Sequence, residues 1–372
     1  AGGSVQLSTT TIPGATYMWS RGSVPIQGGT LPFLTAMLSG DYTVTVSVGG
    51  CPNVSSPLTV SVHSLPTAEI YPPQSTAICD GGSTLLIAQQ AVGYSYQWIK
   101  DGQDLMGATT SSYAATESGV YSVRVTANGC LSTSDTLSIT VYPSDPVDLV
   151  WTGGVDSDWF TSGNWDNPCA VPSVNDNVTI PSGCTPPAAI PSCTLQNLTI
   201  DNGSGTVLSG NVMITGMLSL ANGTIALGNN DLTIGPAGEI IGGSTSSHII
   251  TDGMGQLIQQ GIGSNGRYRQ VLFPVANSAG EFVPCRILNS AVKNDFSIRA
   301  QSEVLDGGFV GTPITQGVVD NTWMIYGGSG STNLTLTLAW DASAELSGFD
   351  RAQSFVSSND NSQGWLALQT PG

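Results

Sequence analysis

Apolar and polar residues alternate along several short segments of this chain. The segments 42–48 (YTVTVSV) and 121–127 (YSVRVTA) make every second residue apolar, and so do 58–62 (LTVSV) and 137–141 (LSITV). A period of two is typical of a β-strand with one buried face. Gly-rich turns separate these segments at short intervals. The pattern therefore predicts β-strands joined by turns.

The first part of the chain contains an internal repeat. Trp19 and Trp98 lie 79 residues apart, and Tyr42 and Tyr121 keep the same spacing. Glycines, cysteines and the closing strands also follow it. A spacing that holds across a whole unit without a gap indicates tandem domains.

Each repeat resembles an immunoglobulin-like (Ig-like) domain. It has a Trp on an early strand and a Tyr shortly after Ser-Gly, which resembles the tyrosine corner of that fold. In antibody domains a Cys follows the corner Tyr by two residues, but Val44 and Val123 hold that place here. The usual disulfide between the two sheets is therefore absent.

Beyond Val150 the pattern changes. Trp151, Trp159 and Trp165 stand close together, and short apolar pieces punctuated by Gly and Asn follow. Turn signals recur about every 6 to 10 residues, which favours a β-solenoid with Asn and Gly in left-handed corner positions. The Trp-rich segment would then cap the stack, as terminal repeats do. A second sandwich is the alternative interpretation.

The predicted fold class is all-β: tandem Ig-like β-sandwiches, then a short β-solenoid-like module, then a further β-sandwich. Strict alternation in 295–301 (DFSIRAQ) and 333–340 (NLTLTLAW) predicts strands of that last sandwich. We expect an Ig-like domain at 1–66 that is truncated at its N-terminus and a second one at 67–145. The Trp-rich cap and solenoid would occupy 146–255, and the sandwich 256–372.

Composition excludes several classes of function. Of 372 residues only 9% are charged, with 26 acids and 9 bases, for a formal net charge of −17. Such a chain cannot neutralise a run of phosphates, so we expect no nucleic-acid partner. It also lacks the basic character of a membrane-surface protein. No apolar run approaches the roughly 20 residues of a membrane span.

The seven cysteines suggest disulfides in an oxidising compartment, because no CxxC pair occurs. We expect Cys79 to pair with Cys130 and clip the two ends of the second repeat. Cys51 matches Cys130, and the match for Cys79 falls one position before residue 1. The partner of Cys51 would then lie outside this sequence. The alternative is that Cys51 is a free or intermolecular thiol.

Three further cysteines lie between residues 169 and 193. We expect Cys184 to pair with Cys193. Partners for Cys169 and Cys285 are not assigned by the sequence.

Calcium is the one ion that the sequence suggests. Asp156, Asp158 and Asp166 lie close together in the Trp-rich segment, and calcium takes six to eight oxygen ligands. No calcium-loop motif is present, so the alternative is a set of solvated acids. We expect no other cofactor.

No catalytic constellation emerges, and we expect the chain not to be an enzyme. His63 lies in a Pro-containing joint and His248 in a Ser-rich turn, with no nucleophile elbow around either. The three clustered tryptophans suit core packing, with a stacking platform for sugar rings as the alternative. Arg267 and Arg269 suit an exposed strand edge, with an anionic-glycan contact as the alternative.

Longer motifs resemble modules of large surface and secreted proteins of the Bacteroidota. They are "WTGGVDSDWFTSGNW", "DNVTIP" and "CTLQNLTI", then "IITDGMGQL", "FPVANS", "NTWMIY" and "FDRAQSFV". Such proteins pair these modules with Ig-like or PKD-like arrays built on patterns such as "CDGGS" and "ESGVYSV". The resemblance implies export by the type IX secretion system, although the C-terminal export domain of that family is absent here.

The function expected from this resemblance is structural and adhesive. The chain would be a segment of a large extracellular surface protein, a stalk or adhesin, assembled into a fibre or hook-like appendage. Expected partners are other copies of the chain and a target-cell surface or glycan. The alternative is a carbohydrate-binding module array of a secreted polysaccharide-degrading enzyme, which a glycan array would distinguish.

Overall fold

The computed structural model describes residues 3–145, 147–267, 269–308, 310–328 and 333–353, together with the strands at 357–359 and 365–367. The chain divides into two compact units, one up to Val141 and one from Tyr142 onward. The described residues include no helix long and apolar enough to cross a membrane. The fold is all-β, as predicted.

The first repeat has seven strands: β1 (Val5–Ser8), β2 (Thr16–Arg21), β3 (Val24–Pro25), β4 (Phe33–Ala36), β5 (Gly40–Val48), β6 (Cys51–Val54) and β7 (Leu58–Val60). β1 pairs with β4 in one sheet. The other sheet has the order β3-β2-β5-β6, and β7 also pairs with β5. The described strand pairings of this repeat are antiparallel.

The second repeat has nine strands: β8 (Ile70–Tyr71), β9 (Ala77–Cys79), β10 (Thr84–Ala88), β11 (Ser95–Lys100), β12 (Gln103–Asp104), β13 (Ser112–Ala115), β14 (Gly119–Ala127), β15 (Cys130–Thr133) and β16 (Leu137–Tyr142). Its sheets have the orders β13-β10-β8 and β12-β11-β14-β16-β9, with β15 also on β14. Strands β2 to β7 begin 79 residues before β11 to β16. The repeat read from the sequence is therefore confirmed strand by strand.

A buried Trp occupies the core of each repeat. Trp19 is 4% exposed and Trp98 is fully buried. The indole N–H of Trp19 donates to the carbonyl oxygen of Leu31 at 2.9 Å, and that of Trp98 donates to Thr110 at 3.0 Å. A buried indole needs such a partner, and both repeats supply it from the same position.

The tyrosine corner is also present in both repeats. The hydroxyl of Tyr42 donates to the carbonyl oxygen of Leu38 at 2.8 Å, and that of Tyr121 donates to Glu117 at 2.9 Å. Both rings are buried. A hydroxyl that bonds back to the backbone four residues upstream is the feature expected of an Ig-like sandwich.

A β-solenoid of about four turns occupies residues 177–276. Its strands are β18 (Asn177–Ile180), β19 (Cys193–Leu195), β20 (Asn197–Asp201), β21 (Thr206–Val207), β22 (Val212–Ile214), β23 (Met217–Asn222), β24 (Ile225–Ala226), β25 (Leu232–Ile234), β26 (Glu239–Gly242), β27 (Ile249–Ile250), β28 (Leu257–Ile262) and β30 (Val275–Ala276), with β29 (Val271–Phe273) between the last two. Three parallel stacks form its sides: β18-β20-β23-β26, β19-β22-β25-β28 and β21-β24-β27-β30. The solenoid interpretation is confirmed.

The predicted left-handed corners are found at glycine and at one asparagine of the solenoid. Gly223 has a φ of +93°, and a Cβ there would lie 1.9 Å from a backbone oxygen, so this corner requires glycine. Asn265 has a φ of +63°, and the other described asparagines of residues 177–276 have no positive φ. Asn202 acts through its side chain instead, because its Nδ2 donates to the carbonyl oxygens of Pro181 and Cys184 at 2.8 and 2.9 Å.

The Trp-rich segment begins the second compact unit. Strand β17 (Asp148–Val150) pairs in parallel with β18 and continues the first stack, and a 3₁₀ turn covers Ser162–Asn164. Trp151, Trp159 and Trp165 are 0%, 2% and 2% exposed. They join the apolar cluster that fills the solenoid.

The C-terminal region is an antiparallel sandwich built onto the last turn. Its strands are β31 (Cys285–Asn289), β32 (Asn294–Ser302), β33 (Asn321–Gly327) and β34 (Leu334–Leu338), followed by 3₁₀ turns at Ala342–Ala344 and Arg351–Gln353 and the hairpin β35 (Ser357–Asn359) with β36 (Trp365–Ala367). One sheet is β28-β32-β33 and the other β29-β31-β34. β28 pairs in parallel with β25 and antiparallel with β32, so one continuous core serves the solenoid and the sandwich.

Candidate functional surface

The two histidines do not belong to a catalytic group. His63 is exposed in the joint between the repeats. His248 is 4% exposed, its Nδ1 donates to the carbonyl oxygen of Ser244 at 3.0 Å, and its ring lies 5.6 Å from that of Phe282. In the part of the chain that the structure describes, no three His, Cys, Asp or Glu side chains form a group able to hold a metal.

The structure does not bring Asp156, Asp158 and Asp166 together as ligands of one ion. Asp156 Oδ1 accepts from the amide of Asp158 at 2.8 Å and from Nδ2 of Asn164 at 2.6 Å, and these bonds hold the pKa of Asp156 below its usual value. Asp158 accepts from the amide two residues further on at 3.0 Å. Asp166 accepts from the amide of Val150 at 2.9 Å. Their oxygens thus fix local turns and strand ends.

The disulfide predictions are wrong. Cys79 and Cys169 are disulfide-bonded, and the free thiols are Cys51, Cys130, Cys184, Cys193 and Cys285. Neither a Cys79–Cys130 bond nor a Cys184–Cys193 bond is formed.

The sheet of the second repeat separates Cys130 from Cys79. Cys130 pairs with Ala127 at one end of β14. Thr76, three residues before Cys79, accepts from the amide of Thr140 at 2.9 Å, beyond the other end of that strand. At about 3.3 Å per residue the two cysteines are about 20 Å apart or more along the sheet. A disulfide requires Cα atoms within about 7 Å.

The solenoid separates Cys184 from Cys193 in a different way. Cys184 lies in the corner after β18, where its Sγ is 3.3 Å from the carbonyl oxygen of Pro181. Cys193 begins β19, which pairs with β22 in another stack. Burial raises the pKa of the Cys193 thiol to about 11. Two residues near in sequence thus lie on different sides of the coil.

The clustered tryptophans cannot stack on sugar rings. The ring of Trp165 contacts those of Trp151 and Trp159 edge-on, with centroids 5.0 and 4.9 Å apart. The indole N–H of Trp151 donates to Thr185 O at 2.8 Å, and that of Trp165 donates to Trp159 O at 3.0 Å. Their faces are used inside the protein, so the core-packing interpretation is confirmed.

Arg267 is not on an exposed edge. Its guanidinium donates to the carbonyl oxygens of Gly238 and Gln260 and to Oε1 of Gln259. Burial lowers its pKa. Arg269 forms an ion pair with Glu239 at 2.7 Å. The Arg267 guanidinium is therefore not free for an anionic glycan, whereas Arg269 is exposed, and Tyr268 lies outside the described residues.

The sandwich region has a shallow cavity of about 430 Å³ beside Arg299. Arg299 Nη1 donates to the carbonyl oxygen of Gly253 at 3.1 Å, and its remaining contacts are with the sulfurs of Met254 and Met324. This cavity is open and carries both charge signs at its rim. It provides no nucleophile and base in contact.

The clearest surface feature is a difference between the two repeats. In the first repeat, the sheet β3-β2-β5-β6 has one side that faces the core and one that faces outward. On the outward side, residues of neighbouring strands pair to form three rows. The rows are Pro25–Ser20–Thr43, Met18–Thr45–Val54 and Thr16–Ser47–Pro52. We call these nine residues the outer face. None of these nine residues is charged, in a chain with a net charge of −17. Asp41, two residues before Thr43 on the same side of β5, carries a charge at the end of this face and accepts from the hydroxyl of Thr59 at 2.6 Å.

The outer face carries exposed apolar side chains in its middle row. Met18 is 42% exposed and Val54 is 59% exposed. The residues 79 positions later in the second repeat are Gln97 and Thr133. Equivalent strands therefore present apolar side chains in the first repeat and polar ones in the second.

The second repeat carries an ion pair on the equivalent surface. Arg124 donates from both terminal nitrogens to the carboxylate of Asp104 at 2.9 Å. The matching residues in the first repeat are Thr45 and Pro25. The sequence contains this signal, because the residues at a spacing of 79 change in polarity at these surface positions.

The other sheet shows the reverse exchange. Leu85 and Ile87 are exposed on β10, where the first repeat has Gln6 and Ser8. The exposed apolar side chains Met18 and Val54 of the outer face are therefore a property of one sheet of the first repeat and not of the Ig-like fold in general.

No known protein family and no curated protein matches this chain. Among solved structures it is similar to murine CEACAM1b, at 14% identity over 37% of this chain and 92% of that one, with a TM-score of 0.25. The I-band fragment I67–I69 of titin matches at 14% identity over 40% and 65%, with a TM-score of 0.27. The N-terminal four Ig domains of Dscam1 isoform 6.9 match at 16% identity over 37% and 41%, with a TM-score of 0.22.

Proposed function

We propose that the chain is a segment of a large extracellular surface protein of the Bacteroidota, exported by the type IX secretion system and acting as a stalk or adhesin. In this role the outer face of the first repeat contacts a second copy of the chain, and this contact is one of those that assemble the chain into a fibre or hook-like appendage. The module resemblance supports the origin, and the all-β array supports the mechanical role.

The observation that carries the proposal is the uncharged outer face. Two chains of net charge −17 repel each other, and a contact through a surface without charges adds no local repulsion. Met18 and Val54 supply exposed apolar area at its centre. The second repeat, with the same strands, places the Arg124–Asp104 ion pair there instead.

The carbohydrate-binding alternative has lost its main support. Its proposed stacking platform, the three clustered tryptophans, is buried. We therefore retain adhesion through the first repeat as the proposed function.

The test replaces two residues of the outer face with their counterparts from the second repeat. In the double variant Met18→Gln/Val54→Thr, we expect self-association, measured by sedimentation velocity and by clustering of chain-coated beads, to weaken about tenfold. Losing about 1.4 kcal/mol of apolar burial accounts for that factor. The control Val92→Gln/Met106→Gln removes two other exposed apolar side chains and is expected to change nothing. Equal behaviour of both variants would refute the proposed contact.

A further inference from the structure

The cavity beside Arg299 lies where two strands of the sandwich separate. β28 and β32 pair from Ile262 with Asn294 to Leu257 with Ile298, and ahead of Leu257 the chain forms a loop. The cavity of about 430 Å³ is lined by residues 251–254 of that loop and by residues 299–303 at the end of β32. Its volume falls in the range of small-molecule sites, about 300 to 1,000 Å³.

At one end of this cavity, the charge of the Arg299 guanidinium is not neutralised by a described carboxylate. None of the four ion pairs among the described residues includes Arg299. Besides the bond to Gly253 O, its terminal nitrogens contact the Sδ atoms of Met254 and Met324 at 2.8 and 2.9 Å. A thioether sulfur is a weak acceptor. The guanidinium therefore keeps its capacity to bind a carboxylate through two parallel N–H bonds.

The other end of the cavity carries acceptors and hydroxyls. Glu303 follows Arg299 by four residues, which is about 13 Å along an extended chain. It also belongs to no ion pair in the described part of the chain. The hydroxyls of Ser278 and Ser302 line the cavity and lie 2.9 Å from each other. The cavity is thus cationic at one end and rich in hydrogen-bonding oxygens at the other.

The backbone at Glu303 is unusual. Its φ is +90°, whereas the other described non-glycine residues with a positive φ are all Asp or Asn. The amide of Glu303 donates to Asp320 O at 3.4 Å, and its carbonyl oxygen accepts from the hydroxyl of Thr322 at 2.9 Å. Outliers of this kind persist where the surrounding structure holds them, and they cluster at binding sites.

A buried donor beside the serine pair lacks an acceptor. Asn321 pairs with Ser302 across the sheet, is 5% exposed, and accepts at Oδ1 from Asn277, the residue before Ser278. Its Nδ2 has no hydrogen-bond partner among the described residues. Buried polar groups are nearly always paired. A hydroxyl group of a bound molecule would supply such an acceptor.

The edge of β32 at the cavity is not free for an extended peptide. Thr251 Oγ1 accepts from the amide of Ala300 at 3.0 Å and lies 2.9 Å from its carbonyl oxygen, to which it donates. Strand addition would need these main-chain groups. The groups that remain for a ligand are side chains: a guanidinium, hydroxyls and a carboxylate.

From this arrangement we infer that the cavity binds an acidic saccharide, in which a sugar ring carries a carboxylate. The carboxylate pairs with Arg299, and the ring hydroxyls form hydrogen bonds with the serine pair and donate to Glu303. The charged contact provides the anchor, so the site does not need the buried tryptophans. It lies in the second compact unit and does not depend on the outer face of the first repeat.

Two acidic probes with neutral counterparts test the site. Trigalacturonate is compared with galactotriose, and sialyllactose with lactose, by isothermal titration calorimetry on the full 372-residue chain. We expect saturable binding of an acidic probe and none of its neutral counterpart. Arg299→Gln should weaken binding about tenfold or more, because the two charge-assisted bonds are lost. The control Arg269→Gln removes the same charge from an exposed arginine of the same unit and is expected to bind normally.

A second variant tests the hydroxyl end without changing charge. Ser278→Ala/Ser302→Ala should weaken binding about threefold to tenfold, because two hydrogen-bonding groups are lost. Unchanged hydrogen exchange in β32 and β33 would show that each variant is folded. Since this variant keeps Arg299, it also tests the site if Arg299→Gln fails to fold.

Four results would overturn the inference. They are no binding of either acidic probe, equal binding of the neutral counterparts, equal loss in Arg299→Gln and Arg269→Gln, and unchanged binding in the double serine variant. Equally strong binding of the blocked peptide Gly-Glu-Gly would assign the cavity to a protein carboxylate and would also overturn it. The variant Met18→Gln/Val54→Thr is expected to bind the saccharide normally, so failure of the proposed adhesion surface would be seen separately.

Discussion

The two Ig-like repeats share their strands and internal hydrogen bonds but differ at their surfaces and edges. Both bury a Trp and close a tyrosine corner at the same spacing. Among the described residues, however, the core cluster of the first repeat contains six buried apolar residues and that of the second contains nine. The comparison teaches that the core hydrogen bonds define the fold, whereas the edge strands determine how much apolar surface that fold covers.

The largest effect is expected from removing the core Trp in either repeat. Trp19→Ala and Trp98→Ala should each cost about 3 to 5 kcal/mol. Because the first repeat has the smaller core, Trp19→Ala should unfold it, while Trp98→Ala leaves the second repeat folded but less stable. Hydrogen exchange in β5 and β14 measures each repeat separately. Equal loss of protection in the two variants would contradict a difference in stability.

A smaller effect is expected when the second repeat is made to resemble the first. Ile78→Ala should lower the free energy of unfolding of the second repeat by about 2 to 4 kcal/mol, since a buried side chain leaves a cavity beside β16. Hydrogen exchange in β14 over a series of denaturant concentrations measures it. Leu85→Ala, at a side chain 55% exposed, is the control and should cost much less. If Ile78→Ala and Leu85→Ala lowered the free energy of unfolding equally, β9 would not explain the more extensive core of the second repeat.

Two equivalent serines, one buried and one exposed, test how burial changes the free-energy cost of losing the same hydrogen bond. Ser134 Oγ accepts from the amide of Val123 at 3.0 Å, and Ser55 Oγ accepts from the amide of Val44 at the same distance. Ser134 is buried, whereas Ser55 is exposed. Ser134→Ala should cost about 1 to 3 kcal/mol because the amide loses its partner out of reach of water. Ser55→Ala should cost about 0.5 kcal/mol or less, because water can replace the hydroxyl.

Much of the architecture could be predicted from local pattern. The repeat spacing gave both sandwiches, strict alternation gave the strands that became β32 and β34, and the short turn spacing gave the solenoid. These features depend on neighbours in sequence, where period and turn chemistry are visible. The tyrosine corner belongs to the same class, because its hydroxyl reaches only four residues back.

Features that depend on distance through space could not be predicted in the same way. The pairing of cysteines requires the positions of strands that meet only in the folded sheet, and the expected Cys79–Cys130 bond would have had to run along that sheet. The shared core of solenoid and sandwich is a second case, since it arises where β28 pairs in parallel on one side and antiparallel on the other.

The candidate surface lies between these two cases. Met18 and Val54 are recognisable in the sequence as apolar exceptions at positions where the repeat has Gln97 and Thr133. That they meet in one row across Thr45 follows only from the strand register. Exposed positions of a repeat therefore carry functional information when they are compared as systematically as its core.

The last prediction concerns the free thiols, which should react in the order of their exposure. Cys51 is exposed, its counterpart Cys130 is half-buried, and Cys285 is fully buried. With iodoacetamide at pH 8, followed by peptide mass spectrometry, Cys51 should be alkylated first, then Cys130, and Cys285 last. Burial raises the pKa of Cys285 to about 12, so the folded chain offers almost no thiolate there.

The same burial gives a pH dependence with a defined sign. Since the folded pKa of Cys285 lies above the unfolded value of about 8.5, the neutral thiol stabilises the fold fully below about pH 8.5, and this contribution is lost as the pH rises toward 12. Between pH 8 and 11, the unfolding midpoint of the unaltered chain should therefore fall more steeply than that of Cys285→Ala. Parallel curves, or alkylation of Cys285 as fast as Cys51, would mean that the core around β31 opens in the native state and that burial does not distinguish these cysteines.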